Sequence, residues 1–259
     1  MEIISAIIWN ADKEIFRIGN FAIRWYGLLF ALGFVVGYQI MQWIYLKEGK
    51  TLKQLDSLSI TMILATIIGA RLGHCLFYEP AYYLSNPIAI LKAWEGGLAS
   101  HGAAIGIIVG LWIYVKKNKD ISFYWILDRI VIVIALAGVF IRIGNFFNSE
   151  IFGIATDVPW AVVFTHVDQI PRHPVQLYEA ISYLFIFLGL FLMYKRNYTK
   201  LKEGFLFGFF LFTVFGMRFI LEYTKSFQAD FEMGLPIKMG QIPSIPFILF
   251  GLYLLIKKK

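Results

Sequence analysis

The stretch IVIVIALAGVFIRIGNFFNSEIFG, residues 130–153, carries two chemistries in succession. Its first eleven residues are apolar. Then Arg142, Asn145, Asn148 and Glu150 fall within nine residues. Hydrocarbon accepts such groups only where they find partners or reach water. The stretch therefore reads as a membrane-spanning helix that ends in a polar site.

The rest of the chain fits that reading. Of 259 residues, 59% are hydrophobic and 16% charged, and the mean hydropathy is +0.67. Soluble domains average about 45–50% apolar and about 25% charged. The expected fold is an all-α integral membrane protein, residues 1–259 forming a single polytopic domain. Cys75 is the single cysteine, so no internal disulfide can form. The first 24 residues mix charged with apolar residues and do not read as a cleavable signal peptide. A net charge of +7 would suggest nucleic acid in a soluble protein; in a membrane chain it reflects orientation instead.

A ~30 Å hydrocarbon core needs about 20 apolar residues. Seven runs qualify: 25–46, 57–77, 98–115, 125–147, 175–194, 204–222 and 240–256, the third and seventh being the shortest. The segments 47–56, 116–124, 195–203 and 257–259 hold 13 Lys/Arg in 31 residues; those on the other face hold 7 in 88. That asymmetry puts the short basic segments, with Lys257, Lys258 and Lys259, in the cytoplasm and the N-terminus outside. The longer outer loops, with Trp94, Trp160 and several prolines, form a small cap. Small residues recur at spacing four, as Gly33–Gly37, Gly69–Gly73, Gly102–Gly106–Gly110 and Gly204–Gly208, and predict close helix contacts.

Four arginines lie inside apolar runs: Arg71, Arg129, Arg142 and Arg218. Each costs roughly 2.5–3.5 kcal/mol at the centre of a lone helix. At 1.5 Å per residue, Arg71, Arg142 and Arg218 fall about 21 to 25 Å across from the cytoplasmic end. Tyr26, His101, Gln176, Tyr178, Glu179 and Gln241 fall in the first two turns of the spans that start outside. Asp128 and Arg129 are the exception, near the cytoplasmic end. A plainer account exists for each group alone. Arg218 and Glu222 suit an i,i+4 ion pair, Arg71 and His74 a local polar contact, Asp128–Arg129 a helix-end contact, and Cys75 a small buried hydrophobe. Structural pairs have no reason to gather at one depth, however. One polar pocket at the outer headgroup level is the simplest account. Its arginines suit phosphate, because a guanidinium forks onto two oxygens and stays charged. An anionic phospholipid is the expected ligand.

The chain has no HExxH, CxxC pair, GxxxxGK[ST], GxSxG, rhomboid-like GxSG or CDP-alcohol phosphotransferase signature, so neither a metal nor a cofactor is expected. No nucleophile of its own stands out. A possible base and several phosphate clamps suit a transfer in which the substrate supplies the nucleophile.

RIGNFFNSEIFG, residues 142–153, resembles the signature G-R-x-G-N-F-x-N-x-E-x-x-G of the prolipoprotein diacylglyceryl transferase family. RWYGLLF (24–30), GARLGH (69–74), WEGGLASHG (94–102), PRHPVQLYE (171–179), RFILE (218–222) and MGQIPSIP (239–246) match further family segments in order. Three positions depart from the pattern: Ile141 replaces the opening glycine, Ala103 the second glycine after His101, and Val214 a frequent tyrosine.

The resemblance implies a multi-pass enzyme of the bacterial cytoplasmic (inner) membrane. It implies transfer of the diacylglyceryl group of phosphatidylglycerol to the lipobox cysteine of an exported prolipoprotein, releasing glycerol 1-phosphate. The partners would be that lipid, the signal peptide and the membrane, with no nucleic acid. His101 is the candidate base for the thiol, with Tyr26 and Glu150 as rivals. Arg142 and Arg218 would hold the phosphate. Asn145, Asn148, Glu150, Gly153, Glu222, Arg71, Gln176 and Tyr178 would line the substrate site. A phospholipid transporter and a structural partner of the export machinery are the competing readings.

Overall fold

The structure, a computed structural model, describes residues 6–19, 21–92, 97, 99–226, 238 and 240–257. Trp94, most of the 94–98 motif, Met239, Lys258 and Lys259 lie outside the described residues.

The expected spans fall on seven helices. These are α1 (Trp25–Lys47), α2 (Leu52–Phe77), α4 (Ser100–Lys117), α5 (Phe123–Phe147), α6 (Val175–Asn197), α7 (Phe205–Leu221) and α8 (Ser244–Ile256). A short helix, α3 (Pro80–Ser85), and a 3-10 turn, Pro87–Leu91, separate α2 from α4. Among the described residues, five helices are long and apolar enough to cross a membrane: α1, α2, α5, α6, and α7 with its 3-10 extension to Thr224. The chain is thus a multi-pass membrane protein. α4 and α8, with 18 and 13 residues, correspond to the two shortest runs.

Local chemistry sets the helix ends. Thr51 and Gln54 form a reciprocal capping box at the start of α2, each satisfying a backbone N–H that the helix leaves free. At α7 the start is capped from another helix. Both Asp128 carboxylate oxygens accept backbone bonds at 2.8 Å, from Gly204 and Phe207. Gly204 sits at φ +87°, a conformation that favours glycine. That turn calls for glycine at 204, and Gly208 of the Gly204–Gly208 step meets α8.

The chain divides into two compact units, residues 1–40 with 127–259, and residues 41–126. In the second, α2 and α4 pack through glycine. A Cβ on Gly102 would stand 2.4 Å from the Gly69 carbonyl oxygen, and one on Gly106 2.3 Å from that of Ala65. No side chain fits there, so the backbones touch directly, as the spacing predicts. Tyr45 and Tyr114, both buried, join hydroxyls at 3.0 Å.

In the first unit α5 meets α1, α6 and the start of α7. Gly33 and Gly37 of α1 meet Ala137, Phe140 and Val133 at ordinary contact distance, Gly138 receives the Tyr183 ring of α6, and Gly208 of α7 meets Gly251 and Leu254 of α8. Short strands add to the helices. β1 (Ile7–Trp9) runs parallel to β4 (Val162–Phe164), which pairs antiparallel with β5 (Pro171–Arg172). β2 (Glu14–Ile18) and β3 (Phe21–Arg24) form a hairpin leading into α1. Phe146, Val162 and Phe164 form a buried cluster joined by Trp9, Phe152 and Leu177. That cluster pins the 162–164 strand to the end of α5, next to the polar signature.

Candidate functional site

The signature folds back on the helix it terminates. α5 ends at Phe147. Ser149 and Ile151 then take φ +54° and +58°. Left-handed backbone is uncommon for serine and costly for a β-branched residue, on the order of 1–3 kcal/mol. The two reversals turn Glu150 inward. Its N–H donates to the Asn145 carbonyl. Its Oε1 accepts Asn145 Nδ2 at 2.7 Å and Asn148 Nδ2 at 3.3 Å. Gln176, fully buried in the first turn of α6, donates to the Glu150 carbonyl at 2.7 Å. A Cβ on Gly153 would collide with Thr224, His173 and Val175, so glycine is what lets three segments meet there.

Beside this turn lies a chain of alternating charges. Arg142 Nε lies 2.8 Å from Glu179 Oε2, an ion pair. Lys225 Nζ lies 2.8 Å from Glu179 Oε1 and 3.4 Å from Glu222 Oε2. Side-chain exposure is 2% for Glu179, 4% for Lys225, 8% for Glu222 and 16% for Arg142. A Cβ on Gly240 would stand 2.3 Å from the Glu222 carboxyl carbon. Lys238 Nζ donates to the Lys225 carbonyl at 2.7 Å, and Gln241 to that of Phe219 at 3.1 Å. The ends of α5 and α7 and the starts of α6 and α8 thus share one polar network. The start of α1 joins them, with Tyr26 packed on Gly144. A cavity of about 410 Å³ opens beside it, lined by Ala22, Arg24, Tyr26, Gly27, Leu28 and Asn148 among others.

Arg218 is placed differently from the sequence expectation. Glu222 bonds Lys225 in place of an i,i+4 pair with Arg218. Among the described residues, Arg218 makes no side-chain ion pair or hydrogen bond; the Tyr183 hydroxyl lies near both Arg142 and Arg218. Arg142 Nη1 makes only a 3.4 Å contact, to Asn145 Oδ1. Both guanidiniums therefore keep donors for an anion.

Tyr178 is engaged elsewhere. Its hydroxyl accepts Trp160 Nε1–H at 2.7 Å and shares a hydrogen with His173 Nδ1 at 3.1 Å. In the second unit Arg71 is 4% exposed. It donates to the carbonyls of Ala89 at 2.6 Å, Ile90 at 2.9 Å and Gly97 at 3.3 Å, and lies over the Tyr83 ring. Its geometry is that of a loop clamp. A Cβ on Gly97 would stand 2.7 Å from His74 Nε2 and 2.8 Å from Arg71 Nη1, so the two side chains are neighbours there, and His74 Nε2 lies 3.8 Å from Glu79. His101 is exposed in the first turn of α4, with Phe77 and Tyr78 against its ring.

Lys225 and Tyr183 are the polar members of the network that sequence reasoning missed. Lys225 was counted among outer-loop charges. The readable signal was its position three residues after Glu222 on a helical repeat. Tyr183 lies four residues after Glu179, on the same face of α6.

A model of the Prolipoprotein diacylglyceryl transferase family matches residues 13–257. Phosphatidylglycerol–prolipoprotein diacylglyceryl transferases of three bacteria are similar over nearly the whole chain. That of Tolumonas auensis is 51% identical over 250 residues, 96% of each chain. That of Chloroherpeton thalassium is 46% identical, covering 98% of this chain and 95% of its own. That of Bacteroides fragilis is 42% identical, covering 96% and 94%.

Proposed function

The chain belongs to the prolipoprotein diacylglyceryl transferase family, and from that premise we propose that it transfers the diacylglyceryl group of phosphatidylglycerol to the lipobox cysteine of exported prolipoproteins. This is the first step of lipoprotein maturation. The observation that carries the reading is the pair of arginines, Arg142 and Arg218, in apolar helices beside the signature turn, each with donors left for an anion.

In the proposed mechanism the cysteine sulfur attacks the glyceryl carbon that bears the phosphodiester. The C–O bond breaks, a thioether forms, and glycerol 1-phosphate leaves. A free thiol has a pKa near 8.5, so attack at neutral pH needs a base or a positive field. His101 takes the proton in this scheme, with Tyr26 and Glu150 as the alternatives to be tested. Arg142 and Arg218 fork onto the phosphate and offset the charge that builds on the leaving group. Asn148 and Glu150 hydrogen-bond the headgroup glycerol, and Asn145 orients them. Gly153, Gln176 and Tyr178 shape the loop around the site, Glu222 steadies Lys225, and Arg71 clamps the segment that follows α3.

The proposed topology has seven spans acting as one domain in the bacterial cytoplasmic (inner) membrane. The N-terminus and the strand-bearing cap lie outside, and the C-terminus is cytoplasmic. The basic segments 47–56, 116–124 and 195–203 support it.

The test is a reconstituted assay with purified protein, phosphatidylglycerol and a lipobox peptide with or without its cysteine. Release of glycerol 1-phosphate only with the cysteine peptide, with one diacylglyceryl mass added to it, is the expected result. Lipid bound but never cleaved would turn the arginines into a carrier site.

A further inference from the structure

Glu179 stands between two cations, and the way it divides its oxygens matters for Arg142. A lone carboxylate beside an arginine tends to take it bidentately, closing two parallel N–H···O bonds. Here the closest approaches are split between two cations: Glu179 Oε2 lies 2.8 Å from Arg142 Nε and Oε1 lies 2.8 Å from Lys225 Nζ. Arg142 is held by one edge of its guanidinium. Among the described residues its terminal nitrogens carry the 3.4 Å contact to Asn145 Oδ1, with the Tyr183 hydroxyl nearby. Lys225 is itself steadied by Glu222, and its carbonyl by Lys238.

We propose that Glu179 and Lys225 are positioning residues for the lipid phosphate, because the lysine's claim on one carboxylate oxygen holds the aspect of Arg142 open to the phosphodiester. The proposal rests on the phosphatidylglycerol reading above. Two features support it. The four linked groups, Arg142, Glu179, Lys225 and Glu222, sum to zero formal charge, so the chain adds no net attraction of its own. Its geometry, rather than its charge, is what differs from a simple Arg–Glu pair. In addition Glu179 is 2% and Lys225 4% exposed, so neither reaches a substrate directly; both act through Arg142. Buried pairs of this kind add little net stability but are costly to break on one side.

The experiment is a double-mutant cycle read as phosphatidylglycerol affinity of detergent-purified protein, with thermal melting run in parallel. Glu179→Gln and Lys225→Met are each made in the wild-type and Arg142→Ala backgrounds. In wild type each is expected to weaken lipid binding roughly tenfold. In Arg142→Ala each is expected to change it by less than twofold, since the group they position is gone. Lys225→Arg, which keeps the bridge to Glu179, is expected to stay within about twofold of wild type. Equal weakening in both backgrounds would assign the pair a structural role and overturn the proposal. If Glu179→Gln fails to fold, the Lys225 arm decides by the same criterion. If Arg142→Ala binds the lipid as well as wild type does, the lipid reading itself fails, a result distinct from additive effects of Glu179 and Lys225.

Discussion

Arg71 and Arg142 are the same residue in the same kind of place, an apolar helix near its end, and they are used in opposite ways. Arg71, in the 41–126 unit, donates to three backbone carbonyls of the segment that follows α3 and stacks over Tyr83. Arg142, in the other unit, is gripped at Nε by a carboxylate and keeps its far side lightly engaged. The insertion cost is alike for both, so the partners decide the use. Neutral carbonyls consume an arginine's donors without cancelling its charge and build a scaffold. A carboxylate shared with a lysine fixes the arginine and leaves its fork free.

The sharpest way to break this comparison is to delete both side chains. Arg142→Ala is expected to lower transfer by at least 10²–10³-fold, roughly what removing one preorganised donor to a developing anion costs, while the protein still inserts. Arg142→Lys should also be poor, because a point charge does not replace a planar fork. Arg71→Ala should act chiefly on stability, lowering the melting midpoint and loosening residues 87–92 toward hydrogen exchange. If Arg71→Ala matched the Arg142→Ala loss with unchanged melting, Arg71 would be a substrate ligand and the contrast would collapse.

The contrast extends to packing. α2 and α4 meet backbone to backbone at Gly69, Gly73, Gly102 and Gly106, whereas α5 meets α1 with side-chain contacts that have room to adjust. Gly102→Val should therefore cost on the order of 3 kcal/mol or more, read as loss of folded protein in a detergent melt. Gly37→Ala, whose new methyl would stand 3.5 Å from Val133, should melt within a few degrees of wild type. A third arm concerns Asp128. Removing its cap of α7 by Asp128→Ala should cost about 1–2 kcal/mol, and Asp128→Asn, which keeps one acceptor oxygen, less.

Much of this was legible because hydropathy and glycine spacing are local signals. The helix runs followed from segments such as 130–140, and the α2–α4 contact from the four-residue glycine step. The signature marked the site by packing Arg142, Asn145, Asn148 and Glu150 into nine residues. Other features were hidden for a physical reason. The strands of two to five residues are too short for any period to show. The Arg218–Glu222 spacing satisfied the i,i+4 rule, yet Glu222 found Lys225 one turn further on. Glu179 found Arg142 on another helix, a pairing that no spacing encodes. Gly204 has the spacing of a packing glycine, and it also has a backbone angle that favours glycine, which sequence does not display.

The smallest expected effect lies outside the helices, in the cap, where ion pairs face water. Asp168 accepts Arg172 Nη2 at 2.5 Å on one oxygen and the Ile170 N–H at 3.0 Å on the other, while the Arg172 guanidinium stacks over Phe152 at 4.9 Å. The Arg172 hydrogen bond, ahead of every other influence, holds the Asp168 carboxyl below its ordinary value. A carboxyl depressed in the fold stabilises it above the unfolded value, near 4, and that contribution fades as pH falls through the folded value. Wild type and Asp168→Asn should therefore differ in melting midpoint at pH 7 and converge below about pH 4. The gap should be small, since exposed pairs contribute between nothing and about 1 kcal/mol. It should shrink further in high salt. The mostly buried Arg142–Glu179 pair should respond to salt less. A strong salt dependence of phosphatidylglycerol affinity that persisted in Arg142→Ala would place the lipid's phosphate on the water-exposed cap, away from the buried charge chain.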